Sequence, residues 1–439
     1  MHHTPLGWAA GNRHEEIVKL LLSRGDIDPE KPSVEGRTPL WQAVCTGHSG
    51  VVKILLGRDD VDPDRPDEEG KTPLSWAAYM GHLGVVEILL GRDDVDPDMP
   101  DEEGRTPLSW AASVGHLGVV ETLLGRGGVD PDKPDNDGRT PLSWAACSGD
   151  EEVVKLLLER DDVDPDEPDG NGQTPLSWAT DCGYEEVVKL LLERDDVDPD
   201  EPDNEGRTPL TRAAFYGHEE IVKILLGRDD VDPNMPDKEG RTPLSWAAKC
   251  MHEEVVKILL GRDDVDPNMP DKEGKTPLSW AANCMHEDII KILLRRDNVD
   301  PDEPGEHGQT PLSRATCSAE GVVKMLLGRD DVDPDMLDKE GKTPLLWAAR
   351  YGHEGMVKIL LGRDNVDPDM PDKEGRTPLS WAARYGNEGV VRILLGRDDV
   401  DPGEPDNYGQ TPLWWATEYG YARVVALIQS PKFATNGTA

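Results

Sequence analysis

One histidine position recurs along the chain, ten residues after a threonine, and its side chains could supply metal ligands. Zinc takes imidazole nitrogens at about 2.0–2.1 Å, whereas helices packed side by side lie about 8–10 Å apart. One histidine on each helix therefore cannot share an ion with its neighbours. We expect each histidine to begin a helix and to bind no metal. The column comprises His14, His48, His82, His116, His218, His252, His286 and His353.

Aspartates alternate in residues 60–64, which read Asp-x-Asp-x-Asp and imitate the start of a calcium-binding loop. An EF-hand loop requires Gly at its sixth position and Glu at its twelfth, where this chain has Arg65 and Lys71. Prolines in the loop also restrict the wrapping of the backbone around an ion. We interpret the segment as a solvated, turn-forming edge, with weak calcium binding by massed carboxylates as an alternative function.

The six cysteines form no recognisable redox or metal motif. None lies in a C-x-x-C pair. The helix spacing also argues against a disulfide between Cys250 and Cys284, which occupy matching positions. We expect reduced thiols, as in intracellular proteins. The cysteines are Cys45, Cys147, Cys182, Cys250, Cys284 and Cys317.

The sequence does not suggest an enzyme. Catalysis needs one set of unlike groups that converge on a point, whereas a chain of like units presents like groups in rows. The sequence has no nucleophile–base arrangement, no phosphate-binding glycine loop and no isolated acid pair. We predict neither catalytic activity nor a cofactor.

The tripeptide Thr-Pro-Leu divides the chain into thirteen units. Every spacing is 34 residues except the one from Thr310 to Thr343, which is 33. The first unit is truncated because it lacks the loop that precedes every other tripeptide. We predict thirteen repeats in residues 1–429 and a flexible C-terminal tail at 430–439. The tripeptides begin at Thr4, Thr38, Thr72, Thr106, Thr140, Thr174, Thr208, Thr242, Thr276, Thr310, Thr343, Thr377 and Thr411.

Each unit encodes two short helices and a loop, as the unit from Thr72 illustrates. Thr72 is a typical N-cap, Pro73 suits the first helical position, and Gly81 ends the helix. Apolar residues at helical spacing in 85–90 predict the second helix. The Pro-, Asp- and Gly-rich residues 91–104 predict an extended, hairpin-like loop. Helices this short are not stable alone, so we predict an all-α solenoid of helix-turn-helix units that pack on one another.

A tryptophan stands four residues after the threonine in most units, and we interpret it as core filling. Arg212 and Arg314 replace it in two units, where we expect altered layers. The tryptophans of this column are Trp8, Trp76, Trp110, Trp144, Trp178, Trp246, Trp280, Trp347, Trp381 and Trp415.

The units resemble the ankyrin repeat, whose fingerprint is T-P-L-H-x-A followed by G-H and a Val- and Leu-rich helix. The resemblance covers essentially the whole chain. Ser75 and Ser109 are examples of serine in place of the usual His, and the loop GRDDVDPDxPDxEG is longer and richer in proline than usual. This version is similar to the ankyrin arrays common in filamentous fungi.

The resemblance implies a protein–protein interaction scaffold or adaptor that binds its partner on a concave face. The alternative is a ligand-recognition fragment of a fungal immune-receptor-like protein that combines a nucleotide-binding domain with ankyrin repeats. The chain starts almost directly on a helix and without an obvious polar cap. Since solenoids need caps for solubility, we expect that Met1 is not the natural start or that an upstream domain was lost.

Two neighbouring residues at the end of each first helix change from unit to unit, with only the pairs Arg-Tyr and Cys-Ser occurring twice, while most other positions barely change. The resemblance places this pair on the concave face, and Tyr and Arg are frequent in binding hot spots. We predict a recognition surface here, although drift at a position without packing demands is the alternative. The predicted protein-binding residues are Tyr79, Met80, Phe215, Tyr216, Arg350, Tyr351, Arg384, Tyr385 and Tyr419.

A second variable position lies in the loop between two prolines and holds five of the eleven methionines. Exposed methionine suits adaptable contact surfaces, whereas loose packing against the neighbouring loop is an equally good interpretation. The five methionines are Met99, Met235, Met269, Met336 and Met370.

The net charge of −41 limits the class of partner. Such a field repels phosphate backbones and anionic lipid headgroups, so we predict a protein partner with a basic surface, and neither nucleic acid nor membrane. The first residues do not resemble a signal peptide, and no apolar run approaches the roughly 20 residues of a membrane helix. We therefore predict a monomeric intracellular protein, cytoplasmic or nuclear.

Three consecutive units depart from the common pattern. Met251 and Met285 replace the glycine that usually ends the first helix, and the unit from Thr310 lacks one residue of that turn. We expect a local change of curvature or weaker stacking near residues 249–322.

Overall fold

The computed structural model describes residues 4–33, 36–316 and 320–430. These residues form 26 α-helices and one short 3-10 helix, Glu306–Gly308, and no strand is found among them. The helices come in regular pairs, so the predicted all-α solenoid of helix-turn-helix units is confirmed. Cys317, the shortened turn at 317–319 and residues 431–439 of the predicted tail lie outside the described residues.

The odd-numbered helices are the first helices of the repeats and the even-numbered helices are the second. In chain order they are α1 (Pro5–Gly11), α2 (Glu15–Leu22), α3 (Pro39–Cys45), α4 (Ser49–Leu56), α5 (Pro73–Tyr79), α6 (Leu83–Leu90), α7 (Pro107–Val114), α8 (Leu117–Leu124), α9 (Pro141–Ser148), α10 (Glu151–Leu158), α11 (Pro175–Cys182), α12 (Glu185–Leu192), α13 (Pro209–Tyr216), α14 (Glu219–Leu226), α15 (Pro243–Cys250), α16 (Glu253–Leu260), α17 (Pro277–Cys284), α18 (Glu287–Leu294), α19 (Pro311–Ala315), α20 (Glu320–Leu326), α21 (Pro344–Tyr351), α22 (Glu354–Leu360), α23 (Pro378–Tyr385), α24 (Glu388–Leu394), α25 (Pro412–Glu418) and α26 (Ala422–Ile428).

The chain divides into two compact units. The N-terminal unit consists of Met1–Ala213 and Lys223–Val231, and the C-terminal unit consists of Ala214–Val222 and Asp232–Ala439. Both units are built from the same helix pairs.

The first helices begin and end as the sequence predicts. In α5, the Thr72 hydroxyl accepts a hydrogen bond from the amide of Ser75 at 3.1 Å, and Pro73 occupies the first turn. Helix α7 ends at Gly115, whose φ of 74° lies in the left-handed region, where a side chain is costly. Met251 and Met285 adopt the same conformation, with φ values of 66° and 60°. The exceptional helix is α19, which has only five residues.

The core is thin and renewed in every repeat. In the repeat from Thr72, the side chains of Leu74, Ala77, Val86 and Leu89 are fully buried. The small alanine side chains let neighbouring helices approach closely, while the leucines fill the space between them. Because a buried leucine contributes about 2–5 kcal/mol relative to alanine, repetition of this layer supplies the stability that the short helices lack.

Aspartates shape the loops and tie them to the helices. Asp67 Oδ1 accepts hydrogen bonds from the amides of Glu69 and Lys71, both at 3.0 Å. The Asp67 amide in turn donates to the Lys71 carbonyl at 3.0 Å, which closes a hairpin-like turn. Asp67 Oδ2 accepts from Trp76 Nε1 at 2.8 Å, so the loop is fixed to the first helix that follows it.

Candidate functional site

The two variable residues that end each first helix form a column along neighbouring repeats, called here the variable column. Position 1 is the seventh residue after the threonine and position 2 is the eighth. All seven large apolar and aromatic side chains predicted to bind a partner here are exposed to solvent. They are Tyr79, Met80, Phe215, Tyr216, Tyr351, Tyr385 and Tyr419. Arg350 and Arg384 are partly buried.

The two positions point in different directions. At position 1, Tyr79 packs its ring 5.0 Å from the ring of Trp110, which belongs to the following repeat. At position 2, the Ser148 hydroxyl lies 3.4 Å from the carbonyl oxygen of Ala112, in the preceding repeat. Successive helical residues are turned by about 100°, so one side chain of the pair faces forward and the other backward.

The C-terminal unit brings five of the predicted residues together in three successive repeats. Each of the three tyrosines is about half exposed, at 51%, 43% and 50% for Tyr351, Tyr385 and Tyr419. Each stacks nearly parallel on the tryptophan of its own repeat. The stacked pairs are Trp347–Tyr351, Trp381–Tyr385 and Trp415–Tyr419, with ring centroids 5.8, 5.7 and 6.0 Å apart.

Arg350 links two of these stacked pairs. Its guanidinium carbon lies 5.1 Å from the ring centroids of both Trp347 and Trp381. The same carbon lies 5.6 Å from the ring centroids of Tyr351 and Tyr385. Cation–π contacts of this kind contribute about 0.5–1 kcal/mol at exposed sites and more where water is excluded, so the arginine is held in place by rings on both sides.

Arg384 repeats the arrangement one repeat further along. Its guanidinium carbon lies 4.4 Å from the ring centroid of Trp415 and 6.0 Å from that of Tyr419. Neither Arg384 nor Arg350 forms an ion pair with any residue that the structure describes. Arg376, by contrast, is held by Asp372 at 2.9 Å and by Glu374 at 2.5 Å. The N–H donors of the two column arginines are therefore not used in ion pairs within the part of the chain that the structure describes.

We define the Arg–Tyr patch as Arg350, Tyr351, Arg384, Tyr385 and Tyr419. It combines flat aromatic surface, fixed in orientation by stacking, with two cations that are not neutralised by ion pairs among the described residues. Such a surface can bury apolar groups and bind a carboxylate or carbonyl in a bidentate manner.

The other predicted residues lie apart from the Arg–Tyr patch along the chain. In the C-terminal unit, Phe215 contacts Tyr216 at 4.8 Å and Trp246 at 5.0 Å between ring centroids. In the N-terminal unit, Tyr79 helps to line a cleft of about 110 Å³ with Lys71, Ser75, Trp76 and Trp110. Met80 caps the end of the same helix, α5.

The tryptophan column is not simply core. Trp347 and Trp381 are buried, at 8% and 5% exposure, but Trp76 and Trp110 are only partly buried and Trp8 is exposed. The interpretation as core filling is therefore wrong for the more exposed rings, which form the floor of the variable column. The indole N–H groups of Trp76 and Trp110 donate to a loop aspartate, but those of the buried Trp347 and Trp381 do so as well, so this bond does not account for the difference in exposure.

A basic residue directly before the threonine was missed as part of this surface. Arg105 lies 3.9 Å from the ring centroid of Trp110, and Lys71 lies 5.0 and 4.8 Å from those of Trp76 and Trp110. The signal was present in the sequence, because nine of the twelve complete units carry Arg or Lys at this position. Their register against the tryptophan could be recognised only from the backbone geometry.

Several histidines of the column contact the preceding repeat through their side chains. His82 and His116 each precede the second helix, as predicted. Their Nε2 atoms lie within hydrogen-bond distance of carbonyl oxygens in the preceding repeat, at 3.2 Å from Cys45 and 3.0 Å from Tyr79. Each of these two imidazoles therefore lies beside a different backbone carbonyl, in the repeat that precedes it.

The loop carboxylates form ion pairs and hydrogen bonds within the protein. Asp60 pairs with Arg58 at 2.6 Å, Asp62 accepts from the Asp64 amide at 3.0 Å, and Asp64 accepts from the Asp96 amide of the next repeat at 2.8 Å. In a calcium loop these groups would converge on one ion. Within the described ranges, no three His, Cys, Asp or Glu side chains are placed to hold a metal ion together.

In two repeats an arginine takes the place of the tryptophan and forms other hydrogen bonds. Arg212 is buried and donates to Asp203 Oδ2 at 2.5 Å, and it also pairs with Asp181 of the preceding repeat. It therefore uses the same loop aspartate that tryptophan uses elsewhere. Arg314 donates to Gln309 at 3.1 Å and also bonds to Asn283. The altered layers predicted at these positions are present.

The loop methionines between the two prolines are partly buried. Both interpretations of this second variable position therefore stay open. Of the helices in residues 4–33, 36–316 and 320–430, none is both long enough and apolar enough to cross a membrane.

Comparison with known proteins identifies the repeat. A family model described as "Ankyrin repeats (3 copies)" matches residues 1–67, 59–135, 118–203, 195–271, 261–335, 317–406 and 365–436. No curated protein matches the chain.

Proposed function

The chain belongs to the ankyrin-repeat family, whose members are generally protein–protein interaction modules and not enzymes, and on this premise we propose that it is an intracellular, non-catalytic scaffold or adaptor. It binds a protein partner through the variable column, with the Arg–Tyr patch as the principal contact. The observation that carries the proposal is the pair of arginines that lie against tryptophan and exposed tyrosine rings without an ion-pair partner among the described residues.

Two features define the partner. The chain as a whole is strongly acidic, with a net charge of −41, so a basic protein surface is attracted at long range. At the patch itself, Arg350 and Arg384 offer N–H donors to carboxylate or carbonyl oxygens, while the tyrosine rings accept apolar or planar groups. The partner therefore presents acceptors within an otherwise basic surface.

The ring stacking explains why this patch suits binding. Tyr351 and Tyr385 lie against tryptophans that are themselves buried, so a partner does not have to order loose side chains. Ordering one flexible side chain on binding costs about 0.5–1.5 kcal/mol. A surface that is ordered before the encounter avoids much of that cost.

The experiment compares capture of the partner from a native extract by three forms of the full chain. Tyr351→Ala with Tyr385→Ala removes the two central rings, and Tyr408→Ala, at a loop tyrosine with 75% exposure, is the matched control. We expect the wild-type chain and the control to retain the same basic protein and the double variant to lose it. Since hot-spot residues contribute about 2 kcal/mol or more each, the loss should be at least tenfold.

Far-UV circular dichroism of all three forms shows whether the helices are intact. Equal capture by the double variant, with unchanged helicity, would show that the Arg–Tyr patch is not the binding surface.

A further inference from the structure

Two cysteines of the variable column meet across neighbouring repeats of the N-terminal unit. Cys147 lies at position 1 near the end of α9, and Cys182 lies at position 2 at the end of α11. Their Sγ atoms are 3.7 Å apart, close to van der Waals contact for two sulfurs. Cys182 is exposed and Cys147 is partly buried, so dissolved reagents reach the pair.

The contact follows from the directions of the two positions. Position 1 faces the following repeat and position 2 faces the preceding one, so a cysteine at position 1 meets a cysteine at position 2 of the next repeat. Cys250 and Cys284 also lie in neighbouring repeats, but both occupy position 2. Among the described residues they show no sulfur–sulfur contact, and both are free thiols. Helix spacing alone therefore does not decide whether thiols in adjacent repeats meet.

The environment of the pair favours reaction at Cys147. The hydrogen bond from the Cys182 thiol, aided by the nearby Arg139, lowers the pKa of Cys147 to about 7 even though burial opposes the shift. The same hydrogen bond and burial raise the pKa of Cys182. At neutral pH, a large share of Cys147 is thus the thiolate, which is the nucleophilic form, while Cys182 stays protonated beside it.

We propose that Cys147 and Cys182 form a dithiol modification site, which a low-molecular-weight disulfide converts into an intrachain disulfide joining two neighbouring repeats. The Cys147 thiolate attacks one sulfur of the reagent, forms a mixed disulfide and releases one thiolate. Cys182, after losing its proton, then attacks the Cys147 sulfur and releases the second thiolate. The two cysteines lose two electrons and two protons, and the reagent is reduced to two thiols.

The test uses the full chain, reduced and then exposed to oxidised glutathione, with the remaining thiols alkylated before digestion by trypsin. Cys147 lies in the fragment 140–155 and Cys182 in the fragment 161–189, and each fragment contains one cysteine. We expect a linked species with the summed mass of these fragments less two hydrogens. It should form at least about tenfold faster than any link between Cys250 and Cys284, because the two sulfurs are already in contact and the second step has a high effective concentration.

Two variants separate the steps. Cys182→Ser should stop the reaction at the mixed disulfide, so that glutathione stays on Cys147. Cys250→Ser should leave the link between Cys147 and Cys182 unchanged. The proposal is overturned if the wild-type chain carries glutathione on both cysteines without linkage, or if Cys250 and Cys284 become linked equally fast. The comparison of the two cysteine pairs is made within one wild-type molecule and does not depend on how any variant folds.

Discussion

Replacing Asp132 with asparagine is expected to stabilise the N-terminal unit at neutral pH. Asp132 Oδ2 accepts a hydrogen bond from the Asp164 amide of the next repeat at 2.6 Å. Its Oδ1 is buried and has no hydrogen-bond partner among the described residues. In the C-terminal unit, Asn234 occupies the matching position. Its Oδ1 accepts from the Asp266 amide at 2.8 Å, and its Nδ2 donates to the Asp264 carbonyl at 2.6 Å.

The comparison shows what the carboxylate lacks. The oxygen that replaces Nδ2 in Asp132 occupies a place where a proton donor is needed, and only a protonated carboxyl can supply one. Burial, together with the nearby carboxylates of Asp164, Asp130 and Glu167, raises the pKa of Asp132 from 3.8 to about 6. An asparagine supplies the donor at every pH.

The magnitude follows from the pKa shift. A shift of about two units corresponds to about 3 kcal/mol at 1.36 kcal/mol per unit. Because the side chain is partly open to solvent, which screens the charge, we expect about 1 kcal/mol. The raised pKa means that the protonated carboxyl contributes stability fully below pH 3.8 and loses this contribution as the pH rises through about 6. Asp132→Asn should therefore gain most near pH 7.5, and the gain should shrink near pH 5.

The assay is urea unfolding followed by circular dichroism at both pH values, with hydrogen exchange of the Asp164 amide as a local readout. The reciprocal change, Asn234→Asp, should lower stability near pH 7.5 and recover part of it near pH 5. A loss of stability in the Asp132 variant at neutral pH, or a gain that is equal at the two pH values, would refute the assignment of the missing donor.

Two further substitutions test the frame of the repeat. Met251→Gly should stabilise the chain by about 1 kcal/mol, because the φ of 66° at this residue is strained for a residue with a side chain. Gly420→Ala places a side chain at a φ of 74°, with open space around the added carbon. It should lower the free energy of unfolding by a similar amount in the same urea titration. An unchanged unfolding midpoint in both variants would contradict this account of the helix end. Arg212→Ala should lower the free energy of unfolding by about 3–5 kcal/mol, because it leaves the negative charges of Asp181 and Asp203 without their buried cation. Arg212→Lys should recover part of this loss. A loss below about 1 kcal/mol in Arg212→Ala would show that water replaces the arginine.

The sequence was sufficient to predict the elements of the fold, because each repeat encodes its own helix signals. The Thr-Pro pair, such as Thr72 and Pro73, begins the first helix of each repeat. The left-handed end of that helix is so strongly specified that Met251 and Met285 adopt it without glycine. The pairing of helices follows from their short length, since neither helix is stable without a neighbour.

The composition of the surface was harder to predict. Trp110 was interpreted as core filling, but it is only partly buried, and its indole N–H donates a hydrogen bond to Asp101 at 3.0 Å. That bond joins residues in a loop and a helix, and periodicity carries no information about it. The contact between Cys147 and Cys182 was also missed, because spacing along the chain does not reveal the direction of a side chain at a helix end.

These directions imply that any site in the variable column is shared by two adjacent repeats. Arg350 belongs to one repeat, yet two of the four rings around it, those of Trp381 and Tyr385, belong to the next. Cys147 likewise acquires its partner from the following repeat. Exchanging the order of two repeats would therefore change the chemistry of the column without changing any residue type, because each position 1 would face a different position 2. Near-identical repeats in a different order thus provide different surfaces, while the buried layers, which are alike in most repeats, tolerate the exchange.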